Sequence, residues 1–82
     1  MQDSELATQV AALRVIWGEV LGLDGNEIGD MDNFFDIGGD SMLALEAAAQ
    51  ARLAGMSMPL SGVLRRPVLA ELAEATLDPL RF

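Results

Sequence analysis

Apolar residues recur at three- and four-residue intervals along most of this chain, with no sustained alternation, so they can be shielded only by folding into helices. The first stretch carries Leu6, Val10, Leu13, Trp17, Val20 and Leu21 on one helical face. Ser4 suits an N-cap and Gly22 a stop, which predicts a helix over 4–22. A second helix is expected over 41–54, rich in alanine and carrying Leu43, Leu45 and Leu53, with Gly55 ending it. Met58-Pro59-Leu60 then breaks the pattern, and 60–65 has room for one short helical turn bearing Leu60, Val63 and Leu64. Pro67 opens a last helix over 67–77, where Val68, Leu69, Leu72, Ala73 and Thr76 share a face while Glu71 and Glu74 point to water. Asp78-Pro79 closes it, leaving Leu80-Arg81-Phe82 as a frayed tail or the stub of a linker. The expected fold is all-α, with three long helices, one short one, no strand and no internal repeat.

The segment 23–40 stands apart. It holds four of the eight glycines and six of the thirteen acids without a period, and reads as a long ordered loop between the first and second helices. Ile28, Met31, Phe34, Phe35 and Ile37 are the anchors expected to pin it onto them.

At 82 residues there is room for a single small domain, and without cysteine its stability must come from packing alone. The start, Met1-Gln2-Asp3-Ser4-Glu5, is acidic where a secretory signal is basic, and no apolar run is long enough to span a bilayer. A soluble, cytoplasmic monomer with no membrane partner is therefore expected. Thirteen acids against five basic residues, all arginine, give a net charge of -8, which repels phosphate backbones and argues against nucleic acid as a partner. The same charge suits either a partner with a basic surface or plain solubility.

The missing residue types constrain chemistry further. There is no His, Cys, Lys or Tyr, which removes most general bases, thiol nucleophiles and Schiff-base amines. A Ser-His-Asp triad is impossible, and a zinc site would need carboxylates alone. No catalytic residue and no metal ligand is assigned. Asp30, Asp32, Asp36 and Asp40 invite a calcium loop, but an EF-hand starting at Asp30 would need an oxygen ligand at Phe34 and a glycine at Phe35.

The helix over 41–54 carries more apolar surface than one core needs. Ala44, Ala47, Ala48 and Ala51 form one stripe, and Met42, Leu45 and Ala49 another. With the alanines inward, neighbouring helices approach closely, and Met42, Leu45 and Ala49, together with Glu46, become an outward docking surface beside Ser41. The other reading is a helix buried on both flanks in a tight bundle.

Everything distinctive converges on Asp32-Asn33-Phe34-Phe35-Asp36-Ile37-Gly38-Gly39-Asp40-Ser41-Met42. Two glycines free the backbone to turn, an acid follows, and a hydroxyl is set at the first turn of a helix, where unpaired amides favour an anion. Taken alone, Asp40 and Ser41 are ordinary helix-capping residues. Their surroundings, however, resemble the attachment motif of the carrier proteins of nonribosomal peptide synthetases, D-x-F-F-x-L-G-G-D-S-L. Asp32, Phe34, Phe35, Gly38, Gly39, Asp40 and Ser41 match it, with Ile37 in place of leucine. Ile16-Trp17-Gly18-Glu19-Val20-Leu21-Gly22 resembles the end of that family's first helix, and Leu69-Ala70-Glu71-Leu72-Ala73 its last.

The resemblance implies a small four-helix carrier-protein bundle. It also implies that a phosphopantetheinyl transferase, using coenzyme A and magnesium, places 4'-phosphopantetheine on Ser41. Gly39 and Asp40 would flank that site, Asp40 at the metal and phosphate end of the encounter as well as at the helix start. The arm would carry an aminoacyl or peptidyl thioester, loaded by an adenylation enzyme and unloaded by a condensation or other tailoring enzyme. The Gly-Gly pair favours this branch over an acyl carrier of polyketide or fatty-acid type; a helical interaction domain without a prosthetic group is the rival from another class. Three departures stand out: Met42 replaces leucine, Val68 stands where a threonine caps the last helix, and the second helix carries alanine where larger aliphatics are frequent.

Overall fold

Four α-helices form the frame: α1 (Gln2–Leu21), α2 (Ser41–Leu53), α3 (Gly62–Arg65) and α4 (Leu69–Leu77). The computed structural model describes residues 2–82, apart from the side chains of residues 2–4 and of Pro79. α1 begins at Gln2, so Ser4 lies inside its first turn and not at its N-cap, and the Ser4 side chain lies outside the described residues. α1 and α2 end the same way, with Gly22 and Gly55 at positive φ and the next amide folding back, Leu23 to Gly18 at 2.9 Å and Met56 to Ala51 at 3.0 Å. That arrangement satisfies carbonyls the helix would leave unpaired.

α1 packs against both α2 and α4, and α2 against α3. From α1, Val10, Leu13, Ile16 and Trp17 are buried, while Leu6, Val20 and Leu21 flank the core. α2 contributes Ala44, Ala47, Ala48 and Ala51, all at most 1% exposed, so the alanine stripe faces inward and lets α1 come close. α4 supplies Leu69, Leu72, Ala73 and Ala75. The buried hydroxyl of Thr76 is satisfied, donating to the Ala73 carbonyl at 2.6 Å and accepting from Gln9 at 2.7 Å, which ties α4 to α1. No described helix is long and apolar enough to cross a membrane.

The two C-terminal helices are shorter than their sequence suggests. α3 starts at Gly62, not at residue 60; it buries Val63 and leaves Leu60 and Leu64 exposed. α4 starts at Leu69, not Pro67, with Val68 as an N-cap that makes no side-chain hydrogen bond. Its first two amides find partners elsewhere: Leu69 donates to the Asp32 carbonyl at 3.1 Å and Ala70 to the Asp30 carbonyl at 2.8 Å. The loop thus replaces the missing threonine cap with main-chain oxygens. The tail is neither frayed nor free, since Pro79–Arg81 form a 3-10 turn and Phe82 packs against the core.

Candidate functional site

The segment between α1 and α2 is held by its own acids. Asp24 and Glu27 form a reciprocal capping box around a 3-10 turn, Gly25–Glu27. Asp32 accepts from the Gly29 amide at 2.7 Å, Asn33 from the Phe35 amide at 2.9 Å, and Asp30 pairs with Arg14, whose Nε also donates to the Ile28 carbonyl at 3.0 Å. Ile28 and Phe34 are buried and Phe35 and Ile37 pack against the core, but Met31 is 69% exposed and anchors nothing. Among the described residues no three of the acids gather as metal ligands.

Phe34 is the pedestal of the site. Its ring is fully buried and meets the Trp17 ring edge-on, with centroids 5.0 Å apart at 71°. Its amide donates to the Pro67 carbonyl at 2.8 Å and its carbonyl accepts from the Gly39 amide at 2.9 Å. Gly39 lies directly against it: a β-carbon there would stand 2.7 Å from the Phe34 carbonyl oxygen and overlap two ring carbons. Gly38 solves a different problem, because its φ of +115° is open only to glycine at low cost. Each residue of the Gly38-Gly39 pair is therefore required for its own reason, one for torsion and one for space.

Beyond this turn the backbone is extended at Asp40, whose Oδ1 accepts from the Leu43 amide at 2.8 Å. Asp40 is the N-cap of α2, and Ser41 is its first helical residue, exposed to solvent. The structure brings Gly39, Asp40 and Ser41 together at one corner. Met42 and Leu45 face outward at 80% and 45% exposure, Glu46 is exposed and Ala49 half-buried. The reading in which α2 is buried on both flanks is thereby excluded.

An exposed hydroxyl at a 13-residue helix start suits a phosphate ester: the Ser41 and Met42 amides precede the intrahelical ladder and stand at the positive end of the helix dipole. The corner offers Asp40 but no imidazole, amine or thiol to drive chemistry. Sequence reasoning did not find the Asp30 and Asp32 carbonyls that bind α4 to the loop, since backbone oxygens leave no trace in residue type. The Asp24 and Glu27 capping box also went unread, although its D-x-x-E spacing carries the signal.

A helical bundle that presents an exposed serine on a pinned loop-to-helix corner has the form that a carrier domain needs. The family model described as phosphopantetheine attachment site matches residues 11–76. The nonribosomal peptide synthetase dtxS1 of Metarhizium robertsii is 45% identical over 62 residues, covering 76% of this chain and 1% of that protein. Nonribosomal peptide synthetase 7 of Gibberella zeae is 42% identical over 60 residues, 73% of this chain and 1% of that protein. The chain therefore spans about 1% of the length of these curated relatives. Among solved structures, a nonribosomal PCP domain superposes with TM-score 0.70 at 45% identity, covering 79% of this chain and 82% of its own. A peptidyl carrier protein solved with the phosphopantetheine transferase Sfp and coenzyme A gives TM-score 0.70 at 38% identity, covering 83% and 87%. BlmI of Streptomyces verticillus, at TM-score 0.83 and 20% identity over 96% and 94%, shares the fold. The chain belongs to the phosphopantetheine attachment-site family, as a peptidyl carrier domain whose prosthetic group is a covalently attached 4'-phosphopantetheine.

Proposed function

We propose that Ser41 is the attachment point and that the domain serves nonribosomal peptide synthesis as a carrier that catalyses nothing itself. The observation that carries this reading is the exposed Ser41 hydroxyl at the first position of α2, fixed by the Asp40 cap and the Gly39–Phe34 contact. Its neighbourhood is rigid while the oxygen stays open to an incoming enzyme.

In the reaction, the Ser41 oxygen forms a bond to the pantetheine-side phosphorus of coenzyme A. Its proton goes to a base of the transferase, and the pyrophosphate P–O bond breaks to release the adenosine bisphosphate. Asp40 accepts the Leu43 amide through one carboxylate oxygen, and its second oxygen would face the metal and phosphate side of that encounter. When bound, the group supplies a thiol that holds an aminoacyl or peptidyl unit as a thioester, stable until a partner provides orientation and a base. The domain's own contribution is an address and a tether, which raises the local concentration of cargo at each partner site.

Met42, Leu45, Glu46 and Ala49 form the face that the partners read: the transferase, an adenylation enzyme that loads the arm, and a condensation or other tailoring enzyme that unloads it. An apolar patch next to the tether supports this role, because solvent-facing Met42 and Leu45 contribute little to the domain's own core. Intact-mass spectrometry after incubation with a promiscuous transferase and coenzyme A tests the assignment. A gain of one arm in the native chain and none in Ser41→Ala is expected; an equal gain in both removes Ser41 from the role.

A further inference from the structure

α3 is only four residues long and cannot be stable by itself, since an isolated turn fixes more backbone than its hydrogen bonds reward. Its N-cap, Ser61, makes no side-chain hydrogen bond. Its order must therefore come from what surrounds it. On one side Met58 is buried with its sulfur 3.0 Å from where a β-carbon of Gly62 would stand, and on another the Phe82 ring comes within 3.4 Å of the same point. Gly62 is thus pinched between a side chain that precedes α3 and one that follows α4.

The two arginines at the end of α3 complete the enclosure. Arg65 Nη1 donates to the Phe82 carbonyl oxygen at 2.5 Å, and Arg66 Nη2 donates to the Arg81 carbonyl at 2.7 Å. Arg81 in turn pairs with Glu74 on α4. Guanidiniums at a helix C-terminus already complement its dipole, and here they also bind the backbone of a second segment. The Arg81 carbonyl is an internal peptide group, so this grip does not depend on a chain terminus.

We infer that residues 80–82 are a strap that holds α3 in place, with the Phe82 ring as its plug and Arg65 and Arg66 as its clasps. This goes beyond the carrier reading and does not rest on it. The consequence is that α3, whose Val63 is buried against the core while Leu64 faces solvent, owes part of its order to the segment that follows α4. A partner that lifts Phe82 would loosen α3 more than α1 or the Ser41 corner, because the Arg65 and Arg66 hydrogen bonds tie the strap to α3 while Phe82 only flanks the common core.

Hydrogen exchange on the full 82-residue chain tests the strap. Phe82→Ala and, separately, the pair Arg65→Gln with Arg66→Gln are compared with the native protein. Exchange at the Gly62, Arg65 and Arg66 amides is expected to quicken about tenfold or more in both, with α1 amides from Leu13 to Trp17 changing less. Unchanged protection at α3 in both variants overturns the inference. So does an equal loss across α1, which would make these contacts part of global stability.

Discussion

Gly39 lies against the buried face of Phe34, and the two residues also share a hydrogen bond from the Gly39 amide to the Phe34 carbonyl at 2.9 Å. Through this contact the corner that presents Ser41 rests on the Trp17 and Phe34 ring pair at the centre of the bundle. A methyl group at position 39 has nowhere to go without moving the ring or the loop. Gly39→Ala is expected to cost about 1–3 kcal/mol by overpacking. Gly38→Ala meets open space but must hold a positive φ, and should cost about 1–3 kcal/mol through torsional strain. Urea titrations give both values. A loss only at 38 would show that Phe34 yields easily.

Asp40 caps α2, while Ser41 beside it is the proposed tether. Because the cap is the Asp40 carboxylate, Ser41→Ala should change stability by no more than about 0.5 kcal/mol while abolishing the mass gain on transfer. Asp40→Ala should cost about 1 kcal/mol, and Asp40→Asn much less, since asparagine caps equally well. Measuring arm transfer in Asp40→Asn then isolates the carboxylate's charge from its capping role: a slower rate at unchanged stability assigns Asp40 to the transferase encounter.

The alanine stripe sets the α1–α2 separation. Ala48 is fully buried, so Ala48→Leu is expected to destabilise by about 1–3 kcal/mol, whereas Ala49→Leu, half-buried on the next position, should stay within about 0.5 kcal/mol. Thermal melts of the pair check this. Equal effects would mean that the helices separate readily.

Leu45→Glu should keep native helical circular dichroism, because the side chain is 45% exposed, and should slow loading by the adenylation partner several-fold, as truncation of an interface anchor does. Loss of helicity would assign Leu45 to the core. Native loading rates would move the partner face away from this stripe.

Much of the frame was legible beforehand, for reasons visible in single elements. The period of Val10, Leu13 and Trp17 marks α1 because a helix repeats its faces at that interval. Ala44, Ala47, Ala48 and Ala51 mark the inner side of α2 for the same reason. Met31 misled, since an apolar residue among anchors need not be one; the loop turns there between the Gly29 and Asp32 contacts and leaves it in water. α3 was drawn too long because Leu60 and Leu64 match a helical period that the short turn does not bury.

Local chemistry in the chain determined the helices, the turn signals and the motif around Ser41, because propensity, period and capping act over a few neighbouring residues. Tertiary structure alone decided that Gly39 must fit against Phe34, that the Asp30 and Asp32 carbonyls cap α4, and that Phe82 returns to α3 across 20 positions from Gly62. Those contacts depend on where distant backbone atoms arrive once the core has closed, and a backbone amide or carbonyl is the same in every residue that carries it.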